Sequence, residues 1–230
     1  MPWSWVIAAD FQLYVFIPLW VVIYKKSRNS ALALMWFLII LGTGIICTVV
    51  TKFDLTAGAY TLENWYMYGQ FLNKPYCKFQ VHAIGILFCI MYHDFVKYRK
   101  VKKVDKNSAA EHYPKLNFAV TKWGFGKVML YSGLLMIVTN LFISFFCTKN
   151  PYAWPKSANI AFFCFTRSSY TLGWMLLAFY IIFGHSNIGM LMFGNPVFRV
   201  LGKLIYPAYL IAPIIMMIVY ANTDHGTFMT

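Results

Sequence analysis

Residues 1–28 read MPWSWVIAADFQLYVFIPLWVVIYKKSR, and the way this stretch is ordered decides the fold class. From Trp3 to Tyr24 it is almost wholly apolar, then Lys25, Lys26 and Arg28 follow at once. A helix crossing a ~30 Å hydrocarbon core needs about 20 apolar residues, so the stretch predicts a membrane helix with its basic end at one interface. One residue disturbs that pattern. Asp10 is a carboxylate inside the run, and a charge near a bilayer centre costs at least ~2.5–3.5 kcal/mol on insertion scales. It needs a partner or a task.

The rest of the chain has the same composition. Of 230 residues, 60% are hydrophobic, 20% aromatic and only 12% charged, far from the quarter-charged average of soluble domains. Twenty Lys and Arg against seven acids give a net charge of +13. The bases lie between apolar spans and no nucleic-acid motif accompanies them, so the surplus is a membrane-topology signal and nucleic-acid binding is not expected. The five cysteines are odd in number and four lie in apolar runs, which predicts neither a disulfide framework nor a metal site. No cofactor motif is present. No basic segment followed by a short apolar stretch and a cleavage site opens the chain, so the first span is expected to act as its own insertion signal.

Six spans are predicted: Trp3–Tyr24, Ser30–Val50, Phe79–Val96, Lys127–Cys147, Ala158–Phe183 and Val197–Tyr220. The expected fold is an all-α, polytopic helical bundle forming a single membrane domain over 1–230, with a basic loop at 97–127. Between residues 51 and 74 a short interfacial helix is a further option. Charge alternates between the connections. KKSR follows the first span, and residues 97–127 hold nine bases against Asp105 and Glu111. The segments between the second and third spans and between the fourth and fifth are nearly balanced. Basic segments face the cytoplasm, so both termini are expected on the non-cytoplasmic side, or the non-matrix side of a mitochondrial inner membrane. The same bias fits the plasma membrane or the endoplasmic reticulum.

Three ionisable residues fall inside predicted spans: Asp10, His82 and Arg167. At ~1.5 Å per residue they lie at comparable depths from one face. Asp10 and Arg167 could pair and fix helix register, or they could wall a polar cavity for a head group, with Gln12, Ser168, Ser169 and Tyr170 adding hydrogen-bonding capacity. His82 reads as a core histidine, because no carboxylate shares its helical turn. His93 and Asp94 read as a solvated helix end. His185, in GHSNIG, lacks the pattern of a phosphate-binding loop. Lys97, Arg99, Lys100, Lys102 and Lys103 are the expected contacts to anionic lipid head groups or to acidic loops of partner proteins.

Three ordered motifs resemble the membrane acyltransferase family three, in its nose-resistant-to-fluoxetine branch. Trp5, Asp10 and Gln12, followed by Pro18-Leu19, match in type and spacing that branch's Trp-Tyr-Leu-x-x-Asp-Met-Gln helix. Asn73-Lys74-Pro75-Tyr76-Cys77-Lys78, with Ile84-Gly85-Ile86-Leu87 downstream, is similar to its Lys-Pro-Tyr/Trp-x-Arg segment. Phe193-Gly194-Asn195-Pro196-Val197-Phe198 and the stretch from Leu201 to Ile211 resemble its closing Tyr-x-x-Tyr-Leu-Val-His helix.

The resemblance covers the later part of such a protein, which has about ten spans and moves acyl groups to acceptor hydroxyls. It implies no catalytic residue here. The family's catalytic histidine lies upstream of the aligned part, its closing histidine is Ala212, and two of its arginines are Lys78 and Lys203. Acyl transfer needs a base within reach of the hydroxyl, and lysine does not reproduce a bidentate guanidinium. The expected function is therefore a shortened, non-catalytic accessory or scaffold subunit that binds lipid and other membrane-protein subunits. The alternatives are an active half completed by a chain carrying the histidine, and a transporter or channel for a small amphiphile.

Overall fold

The computed structural model describes residues 11–57, 69, 71, 74–149 and 153–222. The described residues are helical throughout their ordered elements and contain no strand. The helices are α1 (Ile17–Lys26), α2 (Arg28–Phe53), α3 (Phe79–Val104), α4 (Lys106–His112), α5 (Pro114–Thr121), α6 (Trp123–Lys149), α7 (Lys156–Ile182), α8 (Asn187–Gly194) and α9 (Pro196–Asn222). A 3₁₀ turn, Pro75–Lys78, leads into α3.

Three helical stretches are long and apolar enough to cross a membrane: Arg28–Phe53, Pro75–Val104 and Trp123–Cys147. They contain the second, third and fourth of the predicted spans. This is the pattern of an integral membrane protein. Large apolar side chains such as Trp36, Phe37, Leu135, Phe142 and Phe145 stand exposed, as lipid-facing residues do and as a soluble surface avoids. In the first predicted span the helix is interrupted: residues 11–15 are helical, Phe16 is a turn, and α1 starts with Pro18 in its first positions, where the missing N–H costs nothing. Helix α7 is 27 residues long but carries Thr166, Arg167, Ser168 and Ser169 at its middle, which lowers its mean hydropathy.

The chain divides into two compact units, residues 6–185 and residues 186–230 with the first five. In the smaller unit α8 and α9 are in contact, and Asn195 caps α9 by accepting from Val197 N at 3.0 Å. In the larger unit α2 pairs with α3, α6 pairs with α7, and α7 packs on both α2 and α3. One apolar cluster holds Ile46, Val50, Leu55, Cys147 and Phe163, with the Phe71 and Phe163 rings edge to face at 5.1 Å. A second cluster holds Phe95, Tyr98, Ala109, Ala119, Phe179 and Phe183.

That second cluster corrects the basic loop expected at 97–127. Helix α3 runs on to Val104, and α4 and α5 fold back beneath it. Tyr98 is fully buried, packs edge-on to Tyr113 and donates its O–H to Asn117 Oδ1 at 2.9 Å. The cause is local. Asp105 accepts from Asn107 N at 2.9 Å and starts α4, and Pro114 starts α5, so the segment has its own caps and a small apolar face.

Polar side chains hold the long helices together. Buried Gln80 of α3 lies between the Thr43 hydroxyl of α2 and α7, where its amide nitrogen donates to Ser168 Oγ at 2.7 Å and Cys164 O at 3.1 Å. Asn140 of α6 and Ser169 of α7 are hydrogen-bonded at 2.9 Å. At the start of α7, Asn159 Oδ1 accepts from Ala57 N at 3.0 Å. In a membrane, where apolar burial does not drive helix association, such bonds and close backbone contacts supply it.

Helices α6 and α7 approach closely where Gly133 faces Gly173. A Cβ on Gly133 would lie 2.9 Å from Gly173 O, and one on Gly173 would lie 3.0 Å from Gly133 O. Gly173→Ala should therefore lower stability by about 1–3 kcal/mol, the usual cost of overpacking. Gly85→Ala, with nothing within 4 Å of the new methyl, should cost nothing. Thermal unfolding in detergent checks both; equal midpoints for the two variants would contradict the packing.

Candidate functional site

The turn between α1 and α2 reverses the chain within one residue. Ser27 is extended (φ −157°, ψ 117°), and its Oγ accepts from Ser30 N at 3.3 Å, capping α2. The reversal sets Lys25 and Lys26 beside Arg28. Arg28 then reaches α3, where Nε and Nη2 donate to Asp94 Oδ2 at 3.0 and 2.8 Å. Tyr24 O–H donates to Asp94 Oδ1 at 3.2 Å, and its oxygen lies 3.0 Å from His93 Nδ1. Both carboxylate oxygens of Asp94 are thus occupied. Its side chain is 13% exposed and that of Arg28 is 54% exposed, so the anion is held inside while the cation borders solvent.

Around this pair lies an open cleft of 950 Å³, walled by the α1–α2 turn, the lower part of α3 and the α4–α5 junction. Lys25, Lys26, Arg28, Lys97 and Lys115 line it against Asp94, a surplus of four positive charges among its lysine, arginine and carboxylate side chains. Low-dielectric walls lined by one sign of charge focus the field and concentrate anions. The mobile ammonium groups suit a phosphate, which accepts from several directions.

Of the five expected head-group contacts, Lys97 lines this cleft. Arg99, Lys100, Lys102 and Lys103 are outside its lining and sit on α3 rather than on a loop. Arg99 lies over the Phe95 ring at 5.9 Å and Lys102 over the Tyr98 ring at 5.3 Å, so these two cover the second apolar cluster. Lys100 and Lys103 are exposed.

Asp10 lies outside the described residues. Arg167 and His82 line one cavity of 410 Å³ with Leu13, Cys77, Lys78 and Tyr170, so α3 and α7 do bring these two polar residues together. The Arg167 guanidinium stacks on the Phe71 ring, 4.5 Å from its centroid. Gln12 differs from the expected buried cluster. It is exposed, because it is turned about 100° around the helix from Leu13, which is the buried neighbour. Ser168 and Ser169 bond to α3 and α6 and serve as helix glue.

Asp94 does not belong to a solvated helix end: α3 runs on to Val104 and the carboxylate is buried in the pair with Arg28, while His93 is exposed. The sequence does hold a signal for it: Asp94 is the sole carboxylate of α3. His185 is committed to packing. Its Nε2 donates to Ala119 O at 2.8 Å, its ring stacks on Tyr180, and a Cβ on Gly126 would meet that ring at 2.6 Å. Among the described residues no group of three metal-ligating side chains forms, and the five cysteines are unbridged.

Because Asp94 is buried and Arg28 borders water, the two partners should not be equally costly to lose. Arg28→Gln strands the carboxylate and should cost about 1–3 kcal/mol, whereas Asp94→Asn should cost less. In the double variant the two losses should fall short of adding, as a double-mutant unfolding cycle in detergent would read. Strict additivity would contradict the pair. Comparisons with family models, curated proteins and solved structures yield no match to this chain.

Proposed function

We propose that this chain is a multi-pass membrane protein of six spans that acts as a non-catalytic, acyltransferase-like accessory or scaffold subunit, binding anionic lipid and neighbouring membrane-protein subunits. The observation that carries the lipid-binding part is the cleft of 950 Å³ with its four lysines around the Arg28–Asp94 pair. The positive-inside bias orients it toward the cytoplasmic or matrix leaflet, where anionic lipids meet it at head-group level. The resemblance of the Trp5–Gln12, Asn73–Lys78 and Leu201–Ile211 stretches supports the acyltransferase-like descent. Ala212, which stands where that family's closing helix carries a histidine, supports a binding role over acyl transfer. A second reading, an acyltransferase half completed by another chain, is favoured by one feature, the cavity shared by His82 and Arg167.

The lysines of the cleft and the lysines elsewhere on α3 provide the test. In detergent, native mass spectrometry counts the phosphatidic acid molecules that travel with the protein. Each Lys→Gln change at positions 25, 26, 97 or 115 should weaken retention by up to about fivefold, corresponding to ~1 kcal/mol per surface lysine, and the effect should shrink at high salt. Lys100→Gln and Lys103→Gln should change it little. Equal losses from the two sets would argue for diffuse attraction to a basic surface and against the cleft.

A further inference from the structure

Next to the basic cleft, and sharing Tyr24, Lys25 and His93 with it, runs an apolar groove of 340 Å³ between α1, α2 and α3. Its remaining walls include Trp20, Val21, Leu34, Ile86 and Cys89. The volume falls within the ordinary range of small-molecule sites, and the lining beyond the shared residues is almost wholly hydrocarbon and aromatic. Val21 is 45% exposed and Cys89 is the exposed one of the five cysteines, so the groove opens sideways to the bilayer.

One polar atom of a lining residue has no partner among the described residues. Trp20 Nε1 is shielded from solvent and bonds to nothing among the described residues. A buried indole N–H normally finds an acceptor. Trp20 stands one helical turn above Tyr24, about 6 Å deeper along α1. An ester carbonyl lies at that depth beneath a phosphate.

We propose that the groove holds one acyl chain of an anionic phospholipid drawn from the adjoining leaflet, with its phosphate in the basic cleft and its ester carbonyl accepting from Trp20 Nε1. The inference rests on the head-group reading above and adds what occupies the apolar side. Continuity of the two spaces through Tyr24, Lys25 and His93 and the charge surplus of the cleft identify the occupant as a lipid with an anionic head. A neutral amphiphile would leave the lysines unanswered. A free phosphate would leave the groove unfilled.

Two groove-filling variants test it on the full chain in detergent, Cys89→Trp and Val21→Trp, both at exposed positions where folding is least threatened. Two probes are used: dioleoyl phosphatidic acid, read by native mass spectrometry, and glycerol 3-phosphate, read by the thermal shift it produces. Each variant should retain about tenfold less phosphatidic acid, the equivalent of ~1.4 kcal/mol, while its response to glycerol 3-phosphate stays that of the unaltered protein. Unchanged phosphatidic acid retention in both variants, with the cleft lysines still required, overturns the acyl-chain site and leaves the head-group reading standing. If the lysine changes are also without effect, the head-group reading fails and the groove assignment fails with it. Equal loss of both probes in both variants overturns the inference as well, since the groove would then be no separate part of the site.

Discussion

Two polar cross-links between α2 and α3 govern the arrangement of the other helices in the larger unit. Gln80 meets Thr43 near one end of the pair, and Asp94 meets Arg28 near the other. Along α3 Gln80 and Asp94 are 14 residues apart, and along α2 their partners Thr43 and Arg28 are 15 residues apart. The intervals correspond to about 21 and about 22.5 Å of helix. An antiparallel pair tied at two nearly equal intervals cannot slide by a turn without breaking both ties. In lipid, where Leu and Ile facing the partner helix are worth little more than Leu and Ile facing acyl chains, such ties specify register that apolar packing leaves loose. Gln80 extends the tie to α7 through Ser168 and Cys164, and Asn140 with Ser169 carries it on to α6.

The register produces the site. Holding Asp94 opposite Arg28 brings the α1–α2 turn against lower α3, and the α4–α5 segment, anchored by buried Tyr98, closes the third wall. The cation of the pair is neutralised where it stands, so the lysines around it provide the attraction. Basic residues far apart in sequence, Lys25 and Lys115, then line one cleft. The apolar groove opens from the same turn because α1 is short and interrupted at Phe16, leaving space against α2 and α3. Charge at one end and hydrocarbon at the other form a shape complementary to an amphiphile.

Much of the fold was legible from hydropathy. The stretches Ser30–Val50, Phe79–Val96 and Lys127–Cys147 each lie inside a helix of spanning length, because a 20-residue apolar run has few other outcomes. The segment at 97–127 was misjudged by charge. Nine bases mask Leu116, Ala119 and Val120, whose i, i+3, i+4 spacing marks one short helix, while the caps at Asp105 and Pro114 mark where α4 and α5 begin. The site was less legible than the fold. Asp94 among lysines has the composition of a wet helix end, and only the hairpin register, set by Gln80 and Thr43, shows that Arg28 is its neighbour. Arg167 and His82 stand out because ionisable groups at membrane depth are costly, and they do share a cavity. Residues at the interface carry no such signal, because water and lipid make a charge there inexpensive whether or not it has a function.

An experimental structure of the full chain in nanodiscs containing phosphatidic acid tests most directly whether the α2–α3 register builds an amphiphile site. The expected result is Arg28 within hydrogen-bonding distance of Asp94, phosphate density among Lys25, Lys26, Lys97 and Lys115, and chain density running past Trp20 toward Cys89. Helices α2 and α3 displaced by a turn, with Arg28 away from Asp94 and lipid density absent from cleft and groove, would contradict it.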